Sequence, residues 1–173
     1  MKKYPKSLIL LHWLTLILFI TVFLLGLSME KYEFNAENFN HYRAHALLGM
    51  LIMILTLIRL FIKQKHKNNL PSEIEYYSNG HKFFVKSVQN LIYLLLIITP
   101  LVGFMMVYQT GALQYDLGGP FPEGAKFDEG MKILHKSLVL TLVGLIVIHV
   151  TGIVVYKIKT GENLLKRMCM LVK

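Results

Sequence analysis

The stretch LHKSLVLTLVGLIVIH, Leu134–His149, places one histidine near its start and another at its end within an otherwise greasy run. Imidazole inside an apolar helix is costly unless something binds it. The stretch belongs to a longer block, Ile133–Ile158, interrupted only by His135, Lys136, His149 and Lys157. Three other blocks are built alike: Leu8–Met29 and Val88–Tyr108 hold no formal charge, and Ala44–Ile62 is apolar apart from His45 and Arg59. The blocks are each about 19–26 residues long, and a transmembrane helix needs roughly 20. The sequence therefore predicts an all-α fold, a four-helix integral membrane bundle forming one membrane domain, 1–173. Its spans fall at about 8–29, 44–62, 88–108 and 133–158.

Composition agrees with a bilayer as solvent. Of the 173 residues 54% are hydrophobic, mean hydropathy is +0.50 and formal charge is +9. That is more apolar residue than a soluble domain of this length needs. The first block exceeds the roughly 7–15 residues of a secretory signal core. It also runs into Met29-Glu30-Lys31 without a small-residue cleavage site, and is read as a retained anchor.

Charge sets the expected orientation. Four spans put both termini and the loop between spans two and three on one side. That side holds 14 of the 19 basic residues and 3 of the 10 acidic ones, Glu73, Glu75 and Glu162. Basic residues stay inside, so N- and C-termini are expected in the cytoplasm. The charge then reports topology and contact with anionic membrane lipid, and no basic-aromatic array points to nucleic acid. Cys169 is the single cysteine, which excludes a disulfide or thiolate cluster within one chain. No internal repeat or phosphate-cradling glycine loop is apparent. The turn-rich loop from Gln109 to Lys132 is long enough to cap the outer face.

Depth sorts the seven histidines. His41, His66 and His81 fall in or beside loops, where water or headgroups satisfy them. His12, His45, His135 and His149 fall inside the spans. Fourteen helical residues rise roughly 21 Å and turn to within about 40° of four full turns. His135 and His149 thus share a face, one in each leaflet. His12 matches the depth of His149, and His45 that of His135. Two pairs stacked across the membrane, each from two helices, suit two six-coordinate haems. A zinc or copper site needs ligands converging on one point, and a proton relay needs intramembrane carboxylates, which the spans lack. Gly49, one turn after His45, and Gly103, after Pro100, offer room for a porphyrin face or for plain helix packing.

These residues resemble the bacterial cytochrome b561 family over nearly the whole chain. The resemblance rests on Leu11-His12-Trp13, on His45-x-x-x-Gly49 followed by Ile58-Arg59-Leu60, and on IYLLLIITPLVGFMMVY (Ile92–Tyr108). The His135-to-His149 spacing and Asn163–Met168 complete it. It implies a four-helix cytochrome of the bacterial inner membrane with two haem b groups. His12 and His149 would be the axial iron ligands of the inner haem, and His45 and His135 those of the outer. It also implies an oxidoreductase that oxidises superoxide at the outer face and reduces ubiquinone, an activity found in one member. Arg59 is a candidate contact for a haem propionate, although snorkelling to headgroups explains it equally well. An anion-steering outer face should be positive, yet the outer segments carry 5 basic and 7 acidic residues. Arg43, Lys126, Lys132 and Lys136 are the candidates for a local basic patch. Lys86, Gln89 and Tyr156 depart from the histidines of the superoxide-oxidising member near the cytoplasmic edge. The alternative is a cytochrome b anchor that conducts electrons from a hydrogenase or other dehydrogenase partner to quinone.

Overall fold

A computed structural model describes residues 2–71 and 78–169. Glu73, Glu75 and Lys173, which entered the charge count, lie outside the described residues. The fold is all-helical, 78% helix, with no strand among the described residues. Four long helices are α1 (Lys6–Met29), α2 (Phe39–Lys65), α3 (Asn79–Gln109) and α5 (Glu129–Thr160); α4 (Leu113–Asp116) is one turn between α3 and α5. All four long helices are apolar and long enough to cross a membrane.

All four long helices outrun their apolar blocks, and side chains cap the polar starts of α3 and α5. Ser78 accepts the His81 N–H at the start of α3, and Asp128 Oδ1 accepts the Met131 N–H at the start of α5. α1 starts directly after Pro5, whose missing N–H costs nothing there. α5 stops at Gly161, where φ is +73° and the N–H returns to Lys157 O. At about 1.5 Å per residue the 32 residues of α5 extend well past a hydrocarbon core roughly 30 Å thick.

The chain runs up and down, with α1 packed on α2, α2 on α3 and α3 on α5. α1 and α5 approach each other far less closely, leaving a seam. Both termini lie together: Tyr4 N–H donates to Arg167 O at 3.1 Å, and Trp13 Nε1–H to Met168 O at 2.8 Å. We call this the terminal end and the opposite one the distal end. Leu10, Ile17 and Leu24 of α1 recur every seven residues and stay exposed, as do Phe61 and Leu140. Such stripes are a liability in water and the expected outer face in lipid. The centre is a small buried cluster of Ile52, Leu95, Leu96 and Leu142, with Leu18 and Phe19 packed on it.

The Gln109–Lys132 loop caps the distal end by aromatic packing. Phe34, from the α1–α2 turn, lies 4.3 Å from Phe127 and 5.5 Å from Phe121 between ring centroids, and edge-on to Tyr42. Phe39 meets Tyr115 and Phe121, and the Tyr42 hydroxyl donates to Tyr32 O at 2.7 Å. Gly111, at φ +74°, turns the chain out of α3 with Pro122 against it. Phe39 is the most enclosed of these rings, 5% exposed. Phe39→Ala is expected to cost about 3–5 kcal/mol, read as a lower midpoint of thermal unfolding in detergent; an unchanged midpoint would show that the cap does not hold the loops.

Candidate functional site

The histidines of the spans sit at two levels. At the distal level His45 of α2 faces His135 of α5, with ring centroids 6.2 Å apart and planes at 70°. Each ring is seated on a neighbouring helix by a glycine. A Cβ built on Gly26 of α1 would stand 3.0 Å from His45 Cε1, and one on Gly103 of α3 would stand 3.1 Å from His135 Cε1. Both contacts are tighter than nearly all real Cβ contacts, so any side chain there would push the imidazoles back, and glycine lets the rings come this close. One turn before each glycine, the backbone of Val22 lies against His45 and that of Thr99 against His135. Neither closes a hydrogen bond: Nδ1 of both rings is buried without a partner. A cavity of about 1320 Å³, lined by both histidines, both glycines and Phe19, opens between the rings and the distal mouth.

At the terminal level His12 of α1 and His149 of α5 lie within electrostatic reach of each other, and Arg59 of α2 acts on both. Trp13 stands edge-on to His12 at 5.4 Å. The structure thus brings together each pair that depth had matched, with Arg59 beside the terminal one.

Between the levels the spacing is regular. Fourteen residues separate His12 from Gly26, His45 from Arg59, Gln89 from Gly103 and His135 from His149. Midway in each interval stand Phe19, Ile52, Leu96 and Leu142, and all four belong to the central apolar cluster. The sequence showed no internal repeat, yet α1–α2 and α3–α5 repeat one another in space as a glycine-bearing helix followed by a histidine-bearing one. Residue identity conceals this, because the terminal positions diverge to His12 and Arg59 in one hairpin and Gln89 and His149 in the other. Gly26 was missed for the same reason; its distance from His12, matching that of Gly103 from Gln89, was the available signal. Gly49, which the sequence reading set beside Gly103, also lines the cavity and stands against Pro100, where an added Cβ would sit 4.0 Å from Pro100 Cβ.

The distal mouth differs from a free basic patch. Lys136 Nζ pairs with Glu30 at 2.6 Å, Lys132 with Glu129 at 2.8 Å and Arg43 with Asp116 at 2.9 Å. Three of the four candidate steering cations thus carry a carboxylate. Tyr156, at the terminal edge, is buried and donates to Glu162 at 2.8 Å.

The prokaryotic cytochrome b561 family model matches residues 3–170. The chain belongs to that family. A search of curated proteins returns no match. Membership makes the chain a multi-pass membrane protein of b-type haem electron transfer.

The residues present fit such a group. Among the described residues no three His, Cys, Asp or Glu side chains converge to cage a bare metal ion, whereas haem iron asks the protein only for axial ligands. His45 and His135, with ring centroids 6.2 Å apart, would hold an iron between them. Ligating histidines commonly donate their other N–H to a backbone carbonyl, and the backbones of Val22 and Thr99 wait beside the two orphaned Nδ1 atoms.

The hydrogen bond from Lys136 and its charge hold the fully exposed Glu30 carboxyl below its ordinary range. Because that value is depressed in the fold, the α1–α5 tie is present above the ordinary carboxylate pKa and is lost as pH falls through the lowered one. In Lys136→Gln the Glu30 carboxyl should titrate upward toward its ordinary value, checked by carbon NMR of labelled glutamate. An unmoved titration would show that the pair does not persist in solution.

Proposed function

We propose that this cytochrome holds two b haems, one between His45 and His135 and one between His12 and His149, and passes electrons from the distal end to a quinone. The observation that carries this reading is the repeated glycine seat, which turns two half-buried imidazoles toward each other from different helices. On this reading the terminal end faces the cytoplasm of a bacterial inner membrane, in keeping with the basic residues gathered there. Ubiquinone is the acceptor and superoxide the donor that the family resemblance suggests. The overall reaction is then two superoxide plus ubiquinone and two protons giving two dioxygen and ubiquinol.

Bound haem supplies the one-electron redox chemistry. The chain supplies position and environment. His45 and His135 offer one ring nitrogen to the centre and keep Nδ1–H toward Val22 and Thr99, which fixes tautomer and ring plane. Phe19, Ile52, Leu96 and Leu142 exclude water between the two levels. The distal mouth admits a small donor through the cavity, and the aromatic cap keeps its walls in place.

A second reading, a conduit from a dehydrogenase partner, is favoured by one observation. The ion pairs at Lys136, Lys132 and Arg43 neutralise cations that would otherwise steer a free anion. Mixed charges of this kind suit a protein partner at least as well.

Purified, haem-replete protein is expected to carry two b haems per chain, reduced by a superoxide-generating system and reoxidised by added ubiquinone. Reduction by dithionite but not by superoxide would transfer the assignment to the conduit, and a chain without a Soret band would end both readings. Gly26→Leu and Gly103→Leu, which fill the two seats, are each expected to lose the distal haem while keeping the terminal one. Full haem content in both variants would refute the seating.

A further inference from the structure

The terminal level holds two cations without a counter-charge among the described residues. Arg59 Cζ lies 5.4 Å from the centroid of the Tyr93 ring, and Lys63 Nζ lies 5.1 Å from the same centroid. The two are one turn apart on α2, where like charges repel. The ring attracts each cation but neutralises neither. Among the described residues no carboxylate pairs with either; the ion pairs at Arg43, Lys132 and Lys136 all lie at the distal end. Arg59 Nε is buried without a hydrogen-bond partner. Snorkelling carries the outer nitrogens of a guanidinium to the headgroups but leaves this enclosed Nε without a partner. A buried unpaired donor beside a second cation marks the place of an anion.

Position says which anion. Arg59 follows His45 by the interval at which His149 follows His135, which sets it at the depth of the terminal pair. Its charge acts on both His12 and His149. The anion therefore accompanies whatever those two histidines hold. Haem b carries two carboxylates along one edge, and the cluster offers two cations.

We propose that Arg59 and Lys63, braced on Tyr93, bind the propionate carboxylates of the terminal haem and raise its reduction potential above that of the distal one. The proposal rests on the di-haem reading. Positive charge beside a redox centre favours its electron-rich state. At the distal level Lys136, next to His135, is tied to Glu30, and Lys132, which also lines the cavity, to Glu129. Electrons arriving at the distal level would thus run downhill toward the terminal one.

Optical redox titration of the purified holoprotein tests this, alongside haem per chain and bound phospholipid phosphorus. Arg59→Gln and Lys63→Gln are each expected to shift one of the two transitions by about tenfold in its reduction equilibrium, about 59 mV for a one-electron couple. The shift should be downward, with the other transition unmoved and two haems retained. The transition that moves should be the one missing from His149→Ala. Arg59→Lys, which keeps the charge, should stay near the wild type. If Arg59→Gln does not fold, Lys63→Gln and Arg59→Lys still decide. Two haems with both midpoints unmoved overturns the proposal, and a fall in bound phosphorus with unmoved midpoints assigns the cluster to a lipid phosphate instead. A wild-type chain with fewer than two haems removes the di-haem reading itself.

Discussion

The arrangement depends on one dry layer. Phe19, Ile52, Leu96 and Leu142 come from the four long helices and meet at mid-height in the bundle. Each stands seven residues from a polar or glycine position on either side. Seven residues are close to two helical turns, so locking the apolar layer fixes the facing and depth of both flanking levels. The register of His45 with His135, and of His12 with His149, is a consequence of packing at a place where no polar group stands. In lipid, association gains little from excluding water, so close van der Waals fit has to set that register.

Glycine completes the geometry at the distal level. Histidine on a helix surface normally meets the side chains of its neighbour; here it meets a bare backbone at Gly26 or Gly103. The ring is thereby drawn in toward the carbonyls of the preceding turn. Pro100 sits between Thr99 and Gly103, where its missing N–H frees a carbonyl further down α3. Gly49 faces it from α2, on the side away from the α1–α5 seam.

Much of this was legible in the sequence. The charge-free runs announced four helices because a bilayer interior tolerates nothing else. Depth within the apolar blocks matched His12 with His149 and His45 with His135, and helical periodicity put His135 and His149 on one face. The helix ends were less legible: α2 and α3 begin well before the apolar blocks at Ala44 and Val88 do, since caps and aromatic contacts extend helices into the headgroup region. The seat at Gly26 and the spatial repeat stayed hidden, because a repeat of spacing leaves no trace in residue identity once His12 faces Gln89 and Arg59 faces His149. The pairing of Lys136 with Glu30 joins residues 106 positions apart, and long-range partners among exposed charges carry no periodic signal.

The two levels finally differ in charge, and that difference gives the repeat a direction. A strict duplication would put histidine at equivalent places in both hairpins and make the levels alike. At the distal level the hairpins do agree, with histidine over glycine in each. At the terminal level they part: one hairpin carries a histidine and a cation, the other a glutamine and a histidine. The exchange keeps two imidazoles at that level and adds a positive charge without an acidic partner among the described residues. Meanwhile three cations at the distal mouth, Lys136, Lys132 and Arg43, are matched by Glu30, Glu129 and Asp116. On the di-haem reading, symmetric scaffolding places the two centres and asymmetric charge ranks them, so one helical framework both spaces the electron carriers and orients the flow between them.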